Sequence, residues 1–198
     1  MSGIVIRSAA PSDAARVAEL ANKLSTHEGL APDVYDARKV LDDMIAAGRA
    51  LDVLVAEDAG RIVGYASYQD LYDSDVGARG LWLAELYVVE GARRRGIARQ
   101  LMAALARIAA ERGLVSIGWA VRTANRRARD FYEIIGANDD DTRLIGLDGA
   151  ALASLAEDDD SSDSANDMED VQIALNRLGN PGKRWIQDEL EDGLDLED

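Results

Sequence analysis

The chain has 198 residues and no cysteine. That excludes disulfides, thiolate metal sites and a cysteine nucleophile, and it fits a reducing compartment. Histidine is nearly absent too, His27 being the single one. No group of His, Asp and Glu has metal-ligand spacing, and no Ser-His-Asp arrangement is visible. Neither a bound metal nor a covalent intermediate on the protein is therefore expected. No apolar run approaches the roughly 18 residues needed to cross a bilayer, so no membrane partner is expected. The opening Met1-Ser2-Gly3-Ile4 lacks the charged-then-apolar layout of a secretory leader, and the expected location is cytoplasmic. Two phosphate patterns are missing as well. There is no Gly-x-Gly-x-x-Gly and no Gly-Lys-Ser/Thr.

Positive charge is scarce in one region only. The net charge is -15, but residues 157–198 hold 15 acidic and 3 basic side chains, which leaves 22 acidic and 19 basic in residues 1–156. The first part is nearly neutral and the acidity belongs to a tail. Such a tail argues against nucleic acid as its partner. Residues 157–170 are Asp/Ser-rich and read as a disordered linker. In residues 171–198, Val171, Ala174, Leu175 and Leu178 share one helical face, and Trp185, Ile186, Leu190 and Leu194 form a second sparse set. This acidic amphipathic segment is too short to fold alone. It is expected to dock on its own domain, on a second copy, or on a protein partner.

Residues 1–156 are long enough for one domain with a sizeable core. Ile4–Arg7 reads as a strand. Pro11-Ser12-Asp13 starts a helix with Ala14, Val17, Leu20 and Leu24 on its apolar face. A helix over 35–47 is stopped by Gly48. Strands over 51–57 and 62–68 flank the turn Asp58-Ala59-Gly60. A long strand over 81–89, a helix over 97–112, a strand over 114–121 and a helix over 126–135 follow. A last strand near 143–147 and a closing helix over 148–156 complete the order. Strands interleaved with helices in this way predict an α/β chain with a mixed sheet.

The chemistry concentrates after the long strand. Leu81–Val89 runs into Arg93-Arg94-Arg95-Gly96-Ile97-Ala98, and Ile97, Leu101, Leu105 and Ile108 then recur on one helical face. Strand, small-residue loop and helix start make an anion site, because the first N–H groups of a helix point at whatever lies there and the dipole favours negative charge. Alone, the string reads better as a solvated basic helix entry, and its position after the long apolar run is what favours an anion site. Downstream, Asn125 suits a helix cap, Phe131-Tyr132-Glu133 lies within that helix, and Gly136-Ala137 suits its stop.

These two motifs, in this order, resemble the GNAT N-acetyltransferases over about residues 4–156. The resemblance implies a splayed central sheet and acetyl-CoA as co-substrate. It implies that Arg93, Arg94, Arg95, Gly96, Ile97, Ala98 and Arg99 surround the pyrophosphate. Backbone of Leu86, Tyr87 and Val88 would hold the pantetheine and thioester carbonyl, with Asn125 and Ala128 along the pantetheine arm. Tyr132 would be the general acid; without the motif it would read as a core aromatic. Homodimers are common in the family and a homodimer is expected here.

Within the family the chain looks most like the diamine branch, the spermidine/spermine and thialysine-type enzymes. Leu24-Ser25-Thr26-His27-Glu28, Tyr72-Asp73, Arg143-Leu144 and Asp148-Gly149 carry that likeness. The branch places a Glu and then an Asp on the long strand, where this chain has Ala84 and Glu85. Glu85 contradicts its apolar surroundings, and such contradictions mark function more often than chance. It is the candidate base, or an anion for the acceptor amine. Glu28 matches a position that contacts the substrate cation, and His27 is a pocket residue. The expected activity is direct acetyl transfer to a small-molecule amine. Two alternatives stay open: a protein or aminoacyl-tRNA acceptor, and a non-catalytic acyl-CoA sensor that acts through its tail.

Overall fold

The computed structural model describes residues 3–138, 144–146 and 148–157. The tail lies outside the described residues, as do both ends of the strand expected at 143–147. Residues 144–146 carry no regular structure. The chain divides into two units, residues 1–142 and 143–198. The sequence reading had placed the boundary after Ala156. In the second unit, helix α5 spans Gly149–Glu157.

The first unit is built on a five-stranded mixed sheet in the order β1 (Val5–Ser8), β2 (Asp52–Asp58), β3 (Arg61–Asp73), β4 (Ala78–Val88), β5 (Ile117–Gly118). Neighbours are antiparallel except β4 and β5, which are parallel. The central strands β2 and β3 bury side chains on both faces over Val53–Ala56 and Tyr65–Tyr68, so successive side chains feed two cores. Val53, Val55 and Tyr65 pack with helix α1 (Ala14–His27) and helix α2 (Ala37–Val40). Leu54, Ala56 and Ala66 pack on the other face with helix α3 (Ile97–Glu111). Val17, Leu20 and Ala21 of α1, and Ile97, Leu101 and Leu105 of α3, are the helical sides of these cores.

The strand β4 changes faces halfway. Ser67 is opposite Glu85 but Tyr68 is opposite Leu83, so Ala84 has no partner on β3. This one-residue bulge inverts the alternation. Leu81 and Leu83 lie in the α3 core before it, and Val88 lies there after it, while Tyr87 lies in the α1 core. The bulge therefore sets Glu85 on the α1 side of the sheet.

Two expected elements differ. The helix expected over 35–47 is α-helical only over Ala37–Val40 and continues as a wider π turn over Leu41–Ile45. It cannot start earlier, because the Asp36 carboxylate caps it by accepting from the Lys39 N–H at 2.8 Å. The strand expected over 114–121 pairs regularly only at Ile117–Gly118, opposite Leu81 and Trp82. Its approach to β4 depends on Gly80, where a Cβ would sit 2.4 Å from Ser116 Oγ. Past Trp82 the described ladder ends and the two strands part. Helix α4 (Arg126–Ile134) closes the first unit's helical set.

Candidate active site

A cleft of about 650 Å³ opens where β4 and β5 part. One wall is Leu86, Tyr87 and Val88 of β4. The Val89 N–H donates to Val63 O on β3 at 2.9 Å. Peptide groups alternate in direction along a strand, so those of Leu86 and Val88 point the other way, towards the gap. Arg93 Nε confirms this side, donating to Val88 O at 2.8 Å while its guanidinium lies 5.6 Å from the Tyr87 ring centroid.

The start of α3 forms one end of the cleft. Gly96 caps it at φ 74°, a left-handed conformation that suits glycine, and Arg94 is also left-handed at φ 64°. The first helical bond runs from Gln100 N–H to Gly96 O at 3.0 Å. The N–H groups of Ile97, Ala98 and Arg99 thus have no acceptor within the helix. A Cβ on Gly96 would meet nothing within 4 Å, so the backbone there is open to a ligand. Arg94 and Arg99, with Arg127 of α4, line the cleft and make no ion pair among the described residues. Arg95 is placed differently from its neighbours. It does not line the cleft, and its guanidinium binds Asp58 at 2.6 Å. Open backbone donors, a dipole's positive end and uncompensated arginines fit a pyrophosphate.

On α4, Asn125 Oδ1 accepts from the Ala128 N–H at 3.2 Å, the expected cap. Both residues line the cleft. Tyr132, one turn further, packs tilted against Trp119 at 4.8 Å between ring centroids and against Phe131 at 5.3 Å. Burial, with the Glu28 charge nearby, pushes its phenol up to about 12. It therefore carries its proton at neutral pH.

Glu85 faces the same cleft from β4. Its Oε2 accepts from Tyr65 Oη at 3.0 Å and from Ser67 Oγ at 3.1 Å, and its Oε1 lies 3.4 Å from Tyr35 Oη. Burial raises this carboxyl above the usual carboxylate range; the three hydroxyls oppose that and Glu28 adds to it. Tyr35 is held there by Asn22, whose amide bonds both its N–H at 2.9 Å and its carbonyl at 2.7 Å. Glu28 and His27, at the end of α1, also line the cleft. Glu28 Oε2 lies 3.6 Å from Arg122 Nε. Ala84 is exposed at the bulge and also lines the cleft.

The structure thus brings together Glu85, Tyr132, Glu28, His27 and every expected cofactor-side residue except Arg95. Sequence reading missed Tyr35, Tyr65, Ser67, Trp119 and Asn22. The pair Tyr65 and Ser67 had one available signal, namely polar groups two apart in an apolar strand.

Residues 16–137 match the model of the acetyltransferase (GNAT) family. Among curated proteins the chain is 27% identical over 169 residues to the thialysine N-epsilon-acetyltransferase of Sus scrofa, covering 79% of this chain and 99% of that one. It is 30% identical over 134 residues to the L-ornithine N5-acetyltransferase of Arabidopsis thaliana, covering 67% and 54%. Among solved structures, an aminoglycoside N-acetyltransferase in complex with CoA has the same fold, at TM-score 0.63 and 20% identity, covering 76% of this chain and 97% of that one.

Proposed function

The chain belongs to the GNAT acetyltransferase family, and from that premise we propose that it moves the acetyl group of acetyl-CoA to a small cationic amine by direct transfer. The observation that carries this reading is the pairing of two groups in one cleft. Glu85 is a carboxylate with a raised pKa, and Tyr132 is a phenol that keeps its proton. Burial raises both, which strengthens the carboxylate as a base and leaves the phenol protonated, the states that a base and an acid need. Relatives named for thialysine and ornithine support a small amine acceptor.

When bound, acetyl-CoA supplies an activated acyl group as a thioester. The α3 start, with Arg94 and Arg99, would hold its pyrophosphate. The gap-facing N–H groups of Leu86 and Val88 would donate to the thioester carbonyl, as fixed dipoles that need no reorganisation. Glu85 takes a proton from the acceptor ammonium, directly or through water, so that the amine attacks neutral. Burial makes it a stronger base than an exposed carboxylate. Tyr132 donates its proton to the departing sulfur. Glu28 adds a second anion that favours a cationic acceptor.

Thiol release from acetyl-CoA with a panel of small amines tests this directly. Tyr132→Phe keeps the ring and removes the donor. Its turnover should fall about ten- to a thousandfold with acetyl-CoA affinity little changed. Absence of thiol release with every amine would overturn the activity. Unchanged turnover in the variant, with chemistry rate-limiting, would overturn the role of Tyr132.

A further inference from the structure

Resting on the acetyltransferase reading, we infer that Tyr35 and Asn22 are positioning residues for proton removal: Asn22 fixes Tyr35, whose hydroxyl in turn orients Glu85 Oε1, the oxygen that takes the proton of the acceptor ammonium. The two carboxylate oxygens of Glu85 are bound unequally. A carboxylate oxygen has about two acceptor sites. Those of Oε2 are filled by Tyr65 Oη at 3.0 Å and Ser67 Oγ at 3.1 Å, both from β3 and both on fully buried residues. Oε1 has one partner among the described residues, Tyr35 Oη at 3.4 Å. Tyr35 is half-buried and lines the cleft, as Glu85 does. The acceptor site that the protein leaves open on this carboxylate therefore belongs to Oε1, on the side of the cleft.

Tyr35 needs a clamp to stand there. It belongs to the segment between α1 and α2, in which residues 29–34 are all exposed, so the packing of its neighbours does not hold it. Asn22 on α1 does. Its Oδ1 accepts from the Tyr35 N–H at 2.9 Å, and its Nδ2 donates to the Tyr35 carbonyl at 2.7 Å. One side-chain amide thus satisfies both backbone groups of one residue, as a neighbouring strand would. The Tyr35 contact to Oε1 is longer than an ordinary O–H···O bond. It guides that oxygen and leaves room for the acceptor. In the transfer, an N–H bond of the ammonium breaks, an O–H bond forms at Oε1, and the electron pair stays on nitrogen for attack on the thioester. Tyr35 keeps its own proton throughout and touches no reacting atom of the thioester. The other groups that act on Glu85 are Tyr65 and Ser67 from β3 and the Glu28 charge after α1, while His27 and Tyr132 line the same cleft.

Tyr35→Phe keeps the ring and removes only the hydroxyl, so the fold should be retained. With the full chain and an amine that it acetylates, the acid limb of the kcat/KM profile should move up by about 0.5–1 pH unit, because a hydrogen bond to the ionised form is lost. Asn22→Ala removes no atom that touches Glu85, yet should move the limb the same way. The double variant should shift no further than Tyr35→Phe alone, since Asn22 acts only through Tyr35. A merely structural Asn22 would lower the melting temperature and leave the limb in place. Melting at pH 8 gives a readout without turnover. There the gain on Glu85→Gln should be larger in the Tyr35→Phe background than in the native one, because the ionised carboxylate has lost a donor. An unmoved limb in Tyr35→Phe, additive shifts in the double variant, or an equal melting gain in both backgrounds overturns this inference and leaves the acetyltransferase reading intact. If acetyl-CoA binds but no amine is acetylated, the acetyltransferase reading falls and the proton role with it, while the melting gain still decides the Tyr35 contact.

Discussion

Burial and hydrogen bonding act in opposite directions on Glu85. Its carboxylate accepts from two hydroxyls and approaches a third, which favours the ionised form, yet burial outweighs them and the pKa rises. A folded-state pKa above the unfolded value means that Glu85 contributes stability below its ordinary value of 4.5. That contribution is lost as pH climbs through the raised value. At neutral pH the ionised group therefore costs stability. Glu85→Gln, neutral and of the same shape, should melt at a higher temperature than the native protein at pH 8, and the difference should close towards pH 4. Its kcat should fall about a hundred- to ten-thousandfold, and the acid limb of the kcat/KM profile should disappear. Melting curves across pH settle the first part; a variant less stable than native at pH 8 would show that hydrogen bonding, not burial, governs this group. Glu85 itself was legible, as a charge inside an apolar run. Its partners were not, because Tyr65 and Ser67 come from the neighbouring strand and Tyr35 is delivered by Asn22 from α1. Register and side-chain clamps of that kind leave no local spacing to read.

At the level of elements, the bulge in β4 and the start of α3 do most to shape the cleft. The helix α3 was readable because its apolar residues repeat at helical spacing and Gly96 punctuates its start. The length of β5 was not, since an apolar stretch that pairs with β4 looks the same in sequence as one that lines a cleft. The bulge at Ala84 was not legible, as single-residue insertions in a ladder have no compositional mark. The α3 start carries its own prediction. Replacing Gly96 by any L-residue imposes a left-handed conformation at about 1–2 kcal/mol, while the added Cβ itself meets no atom within 4 Å. Gly96→Ala should thus lower the melting temperature modestly and weaken acetyl-CoA slightly. Gly96→Glu carries the same strain plus an anion beside the phosphates, and should lose at least about tenfold more affinity than the alanine variant. Calorimetry on both variants separates strain from charge. Equal affinities would place the pyrophosphate elsewhere.

For the molecule as a whole, the distribution of apolar burial and of charge point to the same division of labour. The buried core residues fall between Ala14 and Ala109, and the partly buried residues packed on them between Ile4 and Ile135. Among the described residues, those that pack on the sheet all come before residue 142, where the first unit ends. Most of the net charge lies after Ala156, where 15 acidic residues face 3 basic ones. The cleft meanwhile holds Arg94, Arg99 and Arg127 without an ion pair among the described residues. The tail and those arginines are opposite in charge, so truncation tests whether the tail competes with the cofactor for them. Truncation after Ala156 should leave a cooperative melting transition, because no described core residue is lost. It should also tighten acetyl-CoA binding at low ionic strength, and that gain should fade above about 0.15 M salt, where the Debye length is about 8 Å. Differential scanning calorimetry and titrations at two salt concentrations measure both effects. An insoluble truncated chain, or one without a cooperative transition, would make the tail part of the folded core. Affinities that match the full chain at every salt concentration would release the cleft arginines from any contact with it.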